Sequence, residues 1–501
     1  MSHASGPAIE GLLPGSFTHA ASGVSYRIFE RDGKAWLSYR RDDSNRQLQG
    51  EQELSWFIGS GKRGRTYLFS REGYWFESPV NWYTKKQVWD MNPKSMDAKE
   101  LPMTLPVDST CLHCHASGAQ PSLPGARNHF ANDPFQHGGV GCESCHGDTT
   151  AHVDSHGTAP VVNPGKLTPS RRDSVCLQCH LEGQVAVDEP GRSLQMFRPG
   201  DELGEDVRFF ANANAAGANS RATSQWEALL RSACKRKSGD ALTCTSCHDP
   251  HGSPRPEERV AYYRAKCVAC HSDAAFVARH HPEQQDCTAC HMARVSTSDV
   301  AHEQVTDHRI PRHPNAPDVT FATAEAERLA LIGGGKASDR DLGLAYAQLA
   351  LRGDAAAAQQ AILLLDTAAG HGNSQRDAEL HTQLGLLYQE GHDNKAAQRE
   401  YEDALAADPA SSIAAGNLAI LEATEHNLPR ALQLWRRVQQ EDPAQLAAGF
   451  NLAIGECMAG NRDAAMEALQ RLLLFSPDEA KARQFFEQLS ENTQACSASR
   501  H

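Results

Sequence analysis

The sequence predicts a multidomain chain: a small β-rich N-terminal domain, a cysteine- and histidine-dense middle with little regular periodicity, and an all-α array at the C-terminal end. Three observations carry this. Aromatic and polar residues alternate across residues 16–90, six Cys-x-x-Cys pairs crowd the middle, and a 34-residue period runs through the last third. The expected boundaries are 1–105, 106–315, a linker at 316–336, and 337–495.

In the first segment, "GVSYRIFERDGKAWLSYRR" and "RTYLFSREGYWFESPVNWY" alternate and are broken by Asp-Gly and Glu-Gly. That pattern predicts β-hairpins with two-residue turns. "IGSGKRGRTY" is glycine-rich but lacks the phosphate-loop spacing and the hydroxyl after Lys62. The expected role is a cap over the first cysteine motif or a docking module, with Arg63 and Arg65 as candidate anion contacts.

The chain has 501 residues and a formal charge of −13, which argues against general nucleic-acid binding. From Ala337 onward there are 13 Lys and Arg against 23 Asp and Glu, so most of the acidity lies in the repeats. No run of 18 apolar residues occurs, so no membrane span is expected. The opening "MSHASGPAIEGLLPGSF" has no charged stretch followed by an apolar one and does not read as a signal peptide.

The pairs are "CLHCH" from Cys111, "CESCH" from Cys142, "CLQCH" from Cys176, "CTSCH" from Cys244, "CVACH" from Cys267 and "CTACH" from Cys287. Every one is followed at once by His. A disulfide framework has no need of that histidine. Zinc sites take His at varied offsets. Covalent c-type haem explains all three letters: two thiols bond the two vinyl groups, and the next imidazole lies over the iron. Cys111, Cys114, Cys142, Cys145, Cys176, Cys179, Cys244, Cys247, Cys267, Cys270, Cys287 and Cys290 would therefore hold six haems. His115, His146, His180, His248, His271 and His291 would be their proximal ligands. The middle is then a haem-dominated, mostly helical or irregular cytochrome c domain, with one longer helix expected at "SQWEALLRSACKRK". Covalent attachment of this kind takes place outside the cytoplasm. The expectation is a periplasmic or extracellular protein whose export signal has been removed.

A six-coordinate iron needs a second ligand. Between residues 113 and 313 eleven further histidines are available, against only Met196 and Met292, so bis-histidine ligation is expected. His129, His137, His152, His251, His281, His302 and His308 are the distal candidates. His152 closes "CESCHGDTTAH", and His251 closes "CHDPHG", a tight turn that can project an imidazole. If any haem is open, the candidate is the one at Cys176, Cys179 and His180, because a long stretch without histidine follows it. Of the remaining cysteines, Cys457 reads as buried packing, Cys496 lies in a loose tail, and Cys234 has no assigned role.

At the C-terminal end, Pro409, Pro443 and Pro477 are 34 apart. So are Leu384, Leu418 and Leu452, and so are Tyr401, Trp435 and Leu469. This resembles the tetratricopeptide repeat, a helix–turn–helix unit that stacks into a solenoid. Three repeats are expected at 378–411, 412–445 and 446–479. "DLGLAYAQLALRGD" is expected to begin a degenerate earlier one, and "LIGGGKASDR" to be a hinge.

"GGVGCESCHGDTTAH", "CTSCHDPHG" and "DCTACHM…TDHRIPR" resemble segments of multihaem cytochromes c related to the hydroxylamine oxidoreductase and nitrite reductase superfamily. The whole chain is similar to multihaem cytochromes that carry tetratricopeptide repeats. In that superfamily His152 and His251 would match distal ligands. No motif here replaces its His by Lys, and there are six motifs rather than eight, so neither active site transfers.

The expected function is electron transfer through six covalently bound haems, with the acidic repeats docking a redox partner protein. One alternative is a multihaem oxidoreductase in which one open haem acts on a small nitrogen, sulfur or peroxide substrate. Another is a subunit of a conducting assembly, so a homo-oligomer is admissible.

Overall fold

The computed structural model describes residues 5–43, 46–212, 224–273, 275, 278, 280, 285–294, 306–312, 328–370, 376–492 and 496. The chain falls into two compact units that do not follow its order. One runs from Val140 to Ala357. The other joins the chain up to Gly139 with the chain from Ala358 onward.

The second of these units opens with nine strands: β1 (Ser5–Pro7), β2 (Gly15–Thr18), β3 (Ser25–Arg31), β4 (Lys34–Asp43), β5 (Arg46–Leu54), β6 (Trp56–Ile58), β7 (Gly64–Arg71), β8 (Tyr74–Tyr83) and β9 (Val88–Met91). They form two antiparallel sheets, β1-β6-β7-β8-β9 and β2-β3-β4-β5. The expected hairpin turns are present. Arg31 pairs with Lys34 and Arg71 with Tyr74. Both turn residues have positive φ in each case: Asp32 and Gly33 (53° and 71°), Glu72 and Gly73 (53° and 84°). Such a primed turn matches the strand twist and demands Gly or Asp-like residues. Alternation buries Tyr26, Ile28, Leu37 and Leu48 from one sheet against Phe57, Tyr67, Phe69 and Phe76 from the other.

The same unit contains the repeats as antiparallel helix pairs: Ala378–Glu390 with Asn394–Ala407, Ser412–Thr424 with Leu428–Glu441, and Leu446–Met458 with Arg462–Phe475. The helix Ala480–Glu491 follows. The residues spaced at 34 are the buried ones: Leu384, Leu418 and Leu452 on first helices, Tyr401, Trp435 and Leu469 on second helices. Gly385 belongs to this packing, since a Cβ there would meet the Tyr401 ring at 2.5 Å. Buried Glu422 is bound by Asn427 and Arg430, and 34 residues on Glu456 is bound by Asn461 and Arg436.

The last repeat and the sandwich share a core. Phe475 packs edge-on against Tyr74 and Phe76. Arg41, 5% exposed, donates through both terminal nitrogens to Asp478 at 2.8 and 2.5 Å. Asp478 also accepts from the Leu101 amide at 2.8 Å. Cys457, read as simple packing, is disulfide-bonded to Cys496, read as lying in a loose tail. Cys496 is instead buried in the core that the third repeat shares.

The Val140–Ala357 unit has little regular structure: short helices and a three-stranded sheet of β12 (Val185–Asp188), β13 (Val207–Asn212) and β14 (Leu329–Leu331), taken after two short strands, β10 (Ala116–Ser117) and β11 (His137–Gly138), of the other unit. Its apolar core is small, built from Leu177, Leu194, Phe197, Leu203, Val207 and Phe209. The helix expected at residues 224–237 is two helices, Gln225–Arg231 and Ala233–Ser238, broken at Ser232, whose hydroxyl accepts from the Lys235 amide. Of the 316–336 segment, residues up to 327 lie outside the described residues. Leu329–Leu331 is a strand paired with β13, so the three glycines after it turn the chain within one unit. They lead to the helix Asp339–Ala350, which covers the open edge of β12. Arg340 and Gln348 on it donate to the carbonyls of Asp188 and Ala186 at 2.6 and 2.9 Å. Leu344, Ala345, Tyr346, Ala347 and Leu349 of this helix are buried.

Candidate haem centres

A helical turn places Cys, Cys and His at i, i+3 and i+4 on one face. Four of the six motifs have a local reason to be helical. Asp108 accepts from the amides of Thr110 and Cys111 at 3.0 and 3.1 Å and so caps the helix Ser109–His115. Asp286 caps Cys287–His291 in the same way. Thr243 and Ser246 form a reciprocal capping box at Cys244–Cys247. The third motif closes the longer helix Pro169–His180. Burial raises the Cys111 thiol to about 12 and the Cys267 thiol to about 11.

Three motif histidines face a second imidazole. His146 and His251 have ring centres 6.0 Å apart and planes 9° apart. His248 and His308 are at 6.2 Å and 32°, and His291 and His280 at 5.8 Å and 23°. A metal–imidazole bond is about 2.0 Å and the ring centre lies roughly 1.2 Å beyond the nitrogen, so two imidazoles on opposite sides of one iron have centres about 6 Å apart. The donor sets therefore fit bis-histidine haem. Their outer contacts fit as well. Nδ1 of His146, His291 and His308 donates to the carbonyls of Val162, Pro311 and Thr306 at 2.7, 2.8 and 2.8 Å. That bond fixes the tautomer and leaves Nε2 free to ligate. Burial lowers the proton affinity of His248, aided by His308 and His180, and burial lowers that of His308 against the opposing pull of Thr306 O and Asp307, which favours the neutral form that binds metal.

The remaining candidates are placed differently. His152 donates from Nδ1 to Ala159 O at 2.6 Å, the same outer contact as the paired histidines. His129 stacks flat on Tyr74 at 4.0 Å. His137 is exposed on β11, opposite Ser117. His281 and His302 lie outside the described residues. The imidazole across from His291 is that of His280, the neighbour of the histidine singled out from sequence. The doubled "HH" offered no local signal to choose between them. His180 is an electrostatic neighbour of both His248 and His308.

Successive motifs adjoin in space. The thiols of Cys176 and Cys244 hydrogen-bond each other, as do those of Cys267 and Cys287. Cys145 is within electrostatic range of Cys176, and Cys270 within range of Cys247. The five motifs of the Val140–Ala357 unit thus run through space in chain order. The first motif, Cys111–His115, belongs to the unit with the sandwich. There Ser5 Oγ donates to His115 O at 2.7 Å and accepts from the Gly139 amide at 2.7 Å.

Comparison with known proteins gives two family matches. Residues 79–147 match "Cytochrome c554 and c-prime", and residues 236–276 match the "Doubled CXXCH motif". A search of curated proteins returns no match. Solved structures resembling part of the chain include "MamA AMB-1", 20% identical over 32% of this chain and 84% of that one, with a TM-score of 0.28. "MamA RS-1 ArsTM double mutant" is 19% identical over 33% and 90%, also at 0.28. No described helix is long and apolar enough to cross a membrane. The two family matches each span two of the Cys-x-x-Cys-His motifs and support a multihaem c-type cytochrome.

Proposed function

We propose that the chain relays electrons through six covalently bound haems, outside the cytoplasm, and that its repeats dock a redox partner. The observation that carries the relay is the set of three imidazole pairs at 5.8 to 6.2 Å, each joining a motif histidine to a second histidine. Iron filled on both sides exchanges electrons without binding a substrate. On this reading His251, His308 and His280 are the distal ligands of the haems at His146, His248 and His291. His152 is a further ligand, by its outer contact. The adjacency of successive motifs supports passage from one haem to the next. The Cys457–Cys496 disulfide supports an oxidising compartment. The acidic repeats favour a basic partner surface, with self-association as the other outcome.

The test is a haem count by pyridine haemochrome together with EPR of the oxidised, export-expressed protein. Six haems, all low-spin, are expected. A high-spin fraction near one in six would replace the relay with the oxidoreductase reading. His251→Ala should convert one low-spin signal to high-spin and leave the others in place. An unchanged spectrum would remove His251 from the ligand set.

A further inference from the structure

Asp173 lies on the helix that carries the third motif and is only 4% exposed. It sits behind the place where two haem attachments meet. The Cys244 amide donates to its carboxylate, and both Cys176 and Cys244 feel its charge. Those two thiols touch each other. Lys235, itself 8% exposed, stands opposite with Nζ 3.9 Å from Asp173 Oδ2. That ammonium donates to Leu242 O at 2.8 Å and lies 4.9 Å from the Trp226 ring centre. Asp173 Oδ1 is buried and has no hydrogen-bond partner among the described residues. The other charged groups facing the carboxylate are Arg172 and Asp240.

A half-satisfied carboxylate in a low-dielectric site is poorly held in its charged form. Burial already raises its proton affinity, and Lys235 and Arg172 oppose the rise. A negative charge added nearby tips that balance further, because like charges repel strongly where water is excluded. An electron arriving on a haem held by Cys176 or Cys244 is such a charge.

We propose that Asp173 is a redox-linked proton acceptor for the two haems attached at Cys176 and Cys244. This rests on the haem relay above. The step balances: an external donor reduces one ferric iron to ferrous, and the Asp173 carboxylate takes one proton from solvent. Oxidation by the acceptor returns both. The linkage has a definite sign. Protonation favours the reduced state, so the potential falls as pH rises between the carboxylate's proton affinities in the oxidised and reduced protein. It is flat outside that window.

The experiment is a spectroelectrochemical titration of the haem-loaded full chain across roughly pH 5 to 9. In the native protein one haem transition should fall by up to about 59 mV per pH unit, the value of a tenfold change for a one-electron couple. Asp173→Asn should abolish that slope and leave those of the other haems. Asp173→Glu should restore it. Lys235→Met removes the opposing cation and should move the sloping window to higher pH, which keeps the test available if Asp173→Asn does not fold. A slope retained in Asp173→Asn, or a window unmoved in Lys235→Met, would overturn the proposal. Failure of the relay reading is recognised separately, by a haemochrome count without covalent haem.

Discussion

Arg41 and Asp478 are both almost fully buried and bind through two hydrogen bonds. Removing one partner of such a pair strands the other charge in the core, at a cost of about 3–5 kcal/mol. Arg41→Ala should therefore lower stability by that amount in urea unfolding followed by far-UV circular dichroism. A change below about 1 kcal/mol would mean the pair is solvated in solution. Two glycines make a second test. At Gly385 a Cβ would strike the Tyr401 ring, whereas at Gly416 its nearest neighbour is Gln445 Oε1 at 3.7 Å. Gly385→Ala should destabilise by about 1–3 kcal/mol through overpacking. Gly416→Ala should stabilise by up to about 1 kcal/mol through helix propensity. Opposite signs in thermal melts are the expected outcome.

At the scale of elements, the repeat core is fastened by the Cys457–Cys496 disulfide, which closes a loop across 39 residues. Its loss through Cys496→Ser should cost about 2–4 kcal/mol, seen as a lower melting temperature that reducing agent reproduces in the native protein. What the sequence disclosed follows the range of the physics. Asp32-Gly33 and Glu72-Gly73 were legible because a two-residue turn is decided by those two residues. The motifs were legible because attachment chemistry confines thiols and imidazole to five residues. Cys496 was not, since its partner lies 39 residues away and is set by tertiary packing. The pairing of His280 with His291 was not, because which imidazole faces a motif histidine is set by the fold and leaves no periodic trace. The helix Asp339–Ala350 has repeat-like composition, yet its Arg340 and Gln348 bind the edge of β12.

At the scale of the molecule, the two units differ in what holds them. The sandwich and repeats have broad apolar cores, whereas the described residues of Val140–Ala357 offer a small one for five haem motifs. Porphyrins must supply much of the missing apolar volume. In protein made without haem attachment, trypsin should cut residues 140–357 rapidly while fragments containing the repeats persist. Equal resistance of both units would show that the middle folds on its own side chains.

Phe475 belongs to the core that Tyr26, Ile28 and Phe76 build. Nearly the whole chain separates it from those strands. A polypeptide delivered N-terminus first therefore presents its β-strands at the outset and completes their interior only when the final repeat arrives. The earliest segment to emerge is among the last to finish, and its closure spans a loop long enough to be slow. All six Cys-x-x-Cys-His motifs are delivered before that closure, so haem can be joined to a chain whose two ends have not yet met.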